Sequence, residues 1–149
     1  MTSRTLPDNT TISYGYNNDN QLTSSTVGAN TVNYGYDPDG HLATTTLPAA
    51  NGYVETRGYD RDGRLSTLTN VKGASTLSSY TVTRDADGNP TQIDSLNNGS
   101  SWTEKYTYDN RDRITEVCYQ AAACSGGSDP FIRWSYDEMG NRETESRPT

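Results

Sequence analysis

Pairs of aspartates, separated by one residue, stand just before a glycine at three places: Asp37 and Asp39, Asp60 and Asp62, and Asp85 and Asp87. Carboxylate oxygens are ligands that Ca²⁺ prefers, and the Asp-x-Asp-Gly pattern matches part of a calcium-binding loop. The pattern lacks the later Glu and the longer run of alternating ligands of such a loop. Aspartate here also satisfies turn backbone by hydrogen bonding, so we favour a turn over a metal site. The calcium candidates are Asp37, Asp39, Asp60 and Asp62.

Aromatic side chains recur in pairs two residues apart and could stack on sugar rings, with nearby Asp, Asn and Arg side chains as hydrogen-bonding groups. The stacking candidates are Tyr34, Tyr36, Tyr106, Tyr108 and Trp134. These residues also keep a fixed spacing from the aspartates, as a ladder of cross-strand contacts requires. We favour the ladder and keep a carbohydrate-binding strip as the alternative.

Two cysteines, Cys118 and Cys124, flank a five-residue segment. A disulfide between them would contribute roughly 2 kcal/mol and suit an oxidising compartment, and free thiols are the alternative. A zinc site is not expected, because there are only two thiols and the one histidine, His41, is distant in sequence. His41 follows a turn glycine, a solvated position, and no pattern gives it a catalytic role. We expect no metal, no cofactor and no enzymatic activity.

The residues around the first aspartate pair predict a β-hairpin. Tyr34 and Tyr36 alternate along an incoming strand, so their rings point to the same face. The segment 37–40 has the residue types of a type I turn, with Asp first, Pro second and Gly fourth. A glycine in the left-handed conformation then gives a bulged three-residue loop, and Leu42 starts the outgoing strand.

This hairpin pattern occurs six times, which indicates a repeat architecture. The predicted tips lie at residues 17–20, 37–40, 60–63, 85–88, 109–112 and 137–140. The aligned aromatic position holds Tyr16, Tyr36, Tyr59, Arg84, Tyr108 and Tyr136, the turn aspartates are Asp37, Asp60, Asp85, Asp109 and Asp137, and the turn glycines are Gly40, Gly63, Gly88 and Gly140. Asn20 and Asp112 replace glycine in the other two copies and also tolerate the left-handed conformation. In the fourth copy Arg84 replaces the aromatic residue and Pro90 the outgoing Leu, so we expect an exposed edge or irregular structure there.

Composition predicts an all-β chain of tandem hairpins that form a long curved antiparallel sheet, an open solenoid-like region over residues 1–149. Only 30% of the residues are hydrophobic, but 11 are tyrosines, which favour strands. We expect a single domain, almost no helix, and a tail after residue 142 with little left to pack.

The formal net charge of −7 argues against nucleic acid, which requires basic patches. No apolar stretch is long enough to cross a bilayer, so we expect no membrane insertion. Met1 directly precedes a repeat, and we expect an excised piece of a longer chain.

The recurring Tyr-Asp-x-x-Gly-x-Leu hairpin resembles the repeat of the Rhs/YD-repeat family, which includes bacterial polymorphic toxins, components of insecticidal toxin complexes and teneurins. The resemblance extends from about Leu6 to Arg142 and covers about six repeats. It implies a β-sheet that spirals into a hollow shell, often around a toxic C-terminal polypeptide. The family has also been associated with carbohydrate binding. The toxin branch ends in an Asp-Pro self-cleavage motif, but Asp129-Pro130 lies before the last repeat and does not receive that role.

The expected function is that of a non-catalytic shell segment of a secreted or cell-surface Rhs/YD-repeat protein, which encapsulates or presents a C-terminal effector. Its partners would be the remaining repeats and that effector. Unpaired sheet edges also predict self-association. The alternatives are a carbohydrate-binding module of an adhesin and, more remotely, a polysaccharide-cleaving enzyme.

Overall fold

A computed structural model describes residues 2–119 and 131–147, which form thirteen β-strands and no helix. The strands are β1 (Thr2–Thr5), β2 (Thr11–Tyr16), β3 (Leu22–Val27), β4 (Asn30–Tyr36), β5 (Leu42–Thr46), β6 (Tyr53–Tyr59), β7 (Leu65–Lys72), β8 (Ser75–Arg84), β9 (Pro90–Asn97), β10 (Ser100–Tyr108), β11 (Ile114–Tyr119), β12 (Phe131–Tyr136) and β13 (Arg142–Ser146). Neighbours in the sheet are neighbours in sequence. The predicted all-β fold of antiparallel hairpins is confirmed. Among the described residues there is no helix of the length and apolar character needed to cross a membrane.

The chain divides into two compact units, residues 1–78 and 79–149. Strands β1 to β7 lie in the first unit, β9 to β13 lie in the second, and β8 includes residues of both. The single domain expected over residues 1–149 stays a prediction.

The second hairpin illustrates how local sequence sets the turn. The Gly40 N–H donates to the Asp37 carbonyl at 3.1 Å, and the Asp37 N–H donates to the His41 carbonyl at 2.9 Å. Gly40 has a φ of 88°, in the left-handed region that glycine adopts without a steric cost. The predicted bulge therefore lies at Gly40, where Gly40 and His41 both oppose Asp37. Gly35 faces Thr44 but Tyr36 faces Leu42, so the outgoing strand carries a further extra residue, Ala43.

The fourth hairpin keeps the same turn despite its unusual sequence. The Gly88 N–H donates to the Asp85 carbonyl at 3.2 Å. The Asp85 N–H donates to the Asn89 carbonyl at 3.0 Å, the same bond that Asp37 makes to His41 in the second tip. Pro90 is the first residue of β9. The irregular structure expected there is therefore wrong, because the Asp and Gly set the turn and neither is replaced.

The segment after residue 142 packs little, as predicted, but it forms a paired strand. β13 pairs with β12, with Arg133 opposite Ser146 and Tyr136 opposite Arg142. All five residues of β13 are exposed, so its place depends on hydrogen bonds of the backbone and of the side chains Thr144 and Glu145 rather than on apolar packing.

Deep burial is rare in the described residues. Only Ser95, Val117 and Cys118 are buried, and all three lie in the second unit. Most strand side chains are half-buried, as the low apolar content predicts. Cross-strand contacts and hydrogen bonds must therefore contribute a large share of the stability.

Candidate functional site at the hairpin tips

Each hairpin tip is closed by the side chain of its first residue. The Asp37 Oδ1 atom accepts hydrogen bonds from the N–H groups of Asp39 at 3.0 Å and His41 at 2.8 Å. Asn17, Asp60, Asp85 and Asp109 bond in the same way, and Asp137 accepts from Asn141. The turn thus satisfies its own backbone N–H groups, the role that favoured a turn over a metal site.

We call the residue that follows the turn glycine position the post-turn residue. In four tips its side chain binds the second carboxylate oxygen of the turn aspartate, at Asp37, Asp60, Asp109 and Asp137. The post-turn residues are Gln21, His41, Arg64, Asn89, Arg113 and Asn141. The Arg113 Nε–H donates to Asp109 Oδ2 at 2.7 Å and lowers the pKa of Asp109 to about 2. The Arg64 backbone N–H and then its side chain lower the pKa of Asp60. These carboxylates therefore stay ionised well into acid.

Post-turn residues also contact the next tip. Within the first unit, the Gln21 Nε2–H donates to the Gly40 carbonyl at 3.1 Å, and the His41 ring stacks on Tyr59 with ring centroids 4.6 Å apart. Within the second unit, the Asn89 Nδ2–H donates to Asp112 at 2.8 Å, and the Arg113 guanidinium lies 4.4 Å from the ring centre of Tyr136. Sequence reasoning missed these contacts, because the post-turn residues share no residue type.

Four tyrosines of the aligned aromatic position join their hairpin to the preceding one. The acceptor is in each case the carbonyl of the first outgoing residue: Tyr36 donates to Leu22 at 3.0 Å, Tyr59 to Leu42 at 2.9 Å, Tyr108 to Pro90 at 2.7 Å and Tyr136 to Ile114 at 2.7 Å. Tyr16, in the first copy, is 49% exposed. We call these four bonds the tyrosine ladder.

The predicted sugar-stacking residues differ in their hydrogen bonds and burial. The Tyr36 and Tyr108 hydroxyls belong to the tyrosine ladder. The Tyr106 hydroxyl donates to Glu104 at 2.6 Å, and burial and then this bond raise the pKa of Tyr106. The Trp134 Nε1–H donates to Glu145 at 3.0 Å. Tyr34 is half-buried on β4.

Tyr106 and Tyr108 line a cavity of about 670 Å³ between the fourth and fifth tips. Its other lining residues include Asp85, Asp87, Asp109 and Asp112. Burial and then the charge of Asp85 raise the pKa of Tyr108. The cavity therefore combines two aromatic residues with four carboxylates, a combination suited to a polyhydroxylated or cationic ligand.

The calcium candidates have different neighbours in the second and third hairpin tips. Asp37, Asp39 and His41 offer ligand atoms that all lie within 4.8 Å of one another. Arg64 instead binds both carboxylates of its tip, Asp60 at 2.8 Å and Asp62 at 2.7 Å. Calcium binding at these aspartates stays a prediction.

Cys118 is 2% exposed, the lowest exposure among the described residues, and it is disulfide-bonded. Cys124 lies outside the described residues, so the predicted pairing of the two cysteines stays a prediction. Asp129 and Pro130 lie outside the described residues as well.

Tandem antiparallel hairpins with Asp- or Asn-closed tips define a β-hairpin repeat protein. Residues 84–117 match the family model of the RHS Repeat, and the resemblance to the Rhs/YD-repeat family is confirmed. No curated protein matches the chain.

Two solved structures share the fold. The crystal structure of TcdB2-TccC3-TEV has a TM-score of 0.70 and 15% identity, over 99% of this chain and 9% of that chain. The crystal structure of TcdB2-TccC3-Cdc42 has a TM-score of 0.72 and 16% identity, over 98% of this chain and 8% of that chain. This chain thus spans only a small part of the length of either, and at these identities the likeness concerns the fold alone.

Proposed function

We propose that this chain is a non-catalytic wall segment of a secreted or cell-surface Rhs/YD-repeat protein, which encapsulates or presents a C-terminal effector. The tyrosine ladder is the observation that carries the proposal. One hairpin alone is only marginally stable in water, and neighbouring repeats stabilise one another through their interfaces. The ladder provides such an interface at the same position of successive hairpins within each unit.

The chemistry of the tips supports a structural role rather than catalysis. The turn carboxylates accept backbone N–H groups and cationic or amide side chains, and the ladder hydroxyls donate to backbone carbonyls. Groups held in this way stabilise a wall and are poorly placed to exchange protons with a substrate.

The proposal is tested in a parent chain that contains this segment followed by the effector. Limited proteolysis of the intact protein should leave the effector undigested, and the double variant Tyr59→Ala/Tyr108→Ala should expose it because both units lose a ladder contact. Tyr16→Ala is the matched control, since Tyr16 is 49% exposed. Equal digestion of the wild type and the double variant would contradict encapsulation.

Carbohydrate binding is the second candidate, favoured by the cavity that Tyr106 and Tyr108 line together with four carboxylates. A glycan array, probed with calcium and then with a chelator, tests it. Binding that is lost in Tyr106→Ala but kept in Tyr34→Ala would place the ligand at this cavity. No binding by the folded chain would leave the wall segment as the function.

We also propose self-association through the sheet edges. β1 and β13 each have a single neighbour in the strand order, and all their residues are exposed. An edge strand of this kind offers unpaired backbone groups to another chain. Light scattering should therefore give a mass that rises with protein concentration, and a constant monomer mass would refute this.

A further inference from the structure

Three side chains with metal-ligating atoms converge at the second hairpin tip. Asp37 and Asp39 each offer a carboxylate oxygen and His41 offers a ring nitrogen, all within 4.8 Å of one another. His41 is distant in sequence from the cysteines, but the turn places two carboxylates beside it. One imidazole with two carboxylates suits a divalent transition ion such as Zn²⁺ better than Ca²⁺, which prefers oxygen ligands alone.

Neighbouring groups hold two of these ligands in place. Asp37 uses its Oδ1 atom for two backbone N–H groups, which leaves Oδ2 facing the His41 Nδ1 atom at 3.1 Å. The His41 ring stacks on Tyr59 with centroids 4.6 Å apart, which restricts its rotation. Such contacts, made to the ligand side chains by the residues around them, orient the ligands and strengthen metal binding.

The third tip provides independent support because it has the same two carboxylates around a different post-turn residue. The Arg64 guanidinium binds Asp60 at 2.8 Å and Asp62 at 2.7 Å. Two carboxylates at these turn positions therefore converge on a single positive group. At the second tip the post-turn residue is His41, whose shorter side chain supplies a ligand atom and no permanent charge.

We propose that Asp37, Asp39 and His41 bind one divalent transition-metal ion of the Zn²⁺ class at the second tip. The ion takes the place of the proton between His41 Nδ1 and Asp37 Oδ2; the neutral imidazole then carries its one proton on Nε2, so that the Nδ1 lone pair binds the ion. Asp39 supplies the third ligand, and water completes the coordination. The proposal is independent of the wall-segment function.

Calorimetric titration of the complete, tag-free chain with ZnCl₂ is the first test. The wild type should bind one equivalent, and His41→Arg should weaken binding by about tenfold or more. His41→Arg copies the post-turn residue of the third tip, so its circular dichroism and urea midpoint should match those of the wild type. Zn²⁺ binding that is unchanged in folded His41→Arg would overturn the proposal, as would no binding by the wild type.

The reverse substitution provides a gain of binding in the same chain. Arg64→His gives the third tip the Asp, Asp and His set, so this variant should bind a second equivalent of Zn²⁺. Asp39→Asn should weaken binding by about tenfold while the turn persists, because Asp39 contributes its backbone N–H to the turn. A single equivalent in folded Arg64→His would overturn the claim that these three positions form the site.

Discussion

The two units fill the same hairpin position in different ways. In the first unit the residue before the aligned tyrosine is glycine, and a Cβ on Gly35 or Gly58 would overlap the hydroxyl of Thr44 or Thr67 on the facing strand. Gly15 faces Ser24 in the same way. In the second unit this position holds Ser135, which hydrogen-bonds to the facing Thr144 at 2.7 Å, and Thr107, which faces Glu116 and hydrogen-bonds to the adjacent bulge residue Thr115 at 3.0 Å.

The difference shows that a facing hydroxyl can be accommodated by two distinct means. Glycine leaves the space empty and allows close approach of the hydroxyl, although its backbone freedom costs about 0.5 to 1 kcal/mol. Ser135 occupies the space with its own Cβ and pairs with the facing Thr144 hydroxyl instead. Both solutions preserve the bulge and the position of the tyrosine that follows.

The largest expected effect comes from placing a branched apolar side chain at this position in the first unit. Gly58→Val should lower the free energy of unfolding by about 1 to 3 kcal/mol, because its Cβ and methyl groups overlap the Thr67 side chain. Ser135→Val is the matched variant, and it should lose less because a Cβ is already present there. Urea denaturation of the complete chain measures both, and equal losses would mean that the two positions do not differ sterically.

Removal of one hydrogen bond of the tyrosine ladder should lower the free energy of unfolding by a smaller amount, which should be equal in the two units. Tyr59→Phe and Tyr136→Phe should each cost about 1 kcal/mol of unfolding free energy, since each removes one hydrogen bond to a backbone carbonyl. Tyr16→Phe should be nearly neutral. A clear difference between Tyr59→Phe and Tyr136→Phe in denaturant midpoints would show that the ladder is not shared by the units.

The smallest expected effect is on the pH dependence of stability, through the Asp109 carboxylate of the fifth tip. The Arg113 side chain lowers the pKa of Asp109 to about 2 in the folded protein, below the ordinary value near 3.8. Because the folded-state pKa is depressed, the stability that Asp109 contributes is complete above about pH 4 and is lost as the pH falls towards about 2. Asp109→Asn should flatten this part of the pH profile of the urea midpoint.

Asn17 provides the structural precedent for that variant, since its Oδ1 atom already closes the first tip by accepting two N–H groups. Asp109→Asn should therefore keep the turn while it loses the titrating group. An unchanged pH profile in the folded variant would assign the acid sensitivity to other carboxylates.

The turns and the fold could be predicted from sequence because both depend on local residue types. Asp37 and Gly40 determine a turn whichever strand lies beside it. A ladder of aromatic contacts was also predicted, but the hydrogen bonds of the tyrosine ladder could not be, because their acceptors belong to the preceding hairpin and depend on the register between hairpins. The contact of His41 with Tyr59 was missed for the same reason, and the paired strand β13 was missed because its exposed residues give no apolar signal.

The tyrosine ladder has a direction. Each of its hydroxyls donates towards the N-terminal neighbour, from Tyr36 to Leu22 and from Tyr136 to Ile114. During synthesis the acceptor hairpin therefore leaves the ribosome before the hairpin that carries the donor. Within each unit, every new hairpin therefore meets an acceptor hairpin that has already been synthesised, so the sheet can form one hairpin at a time during translation.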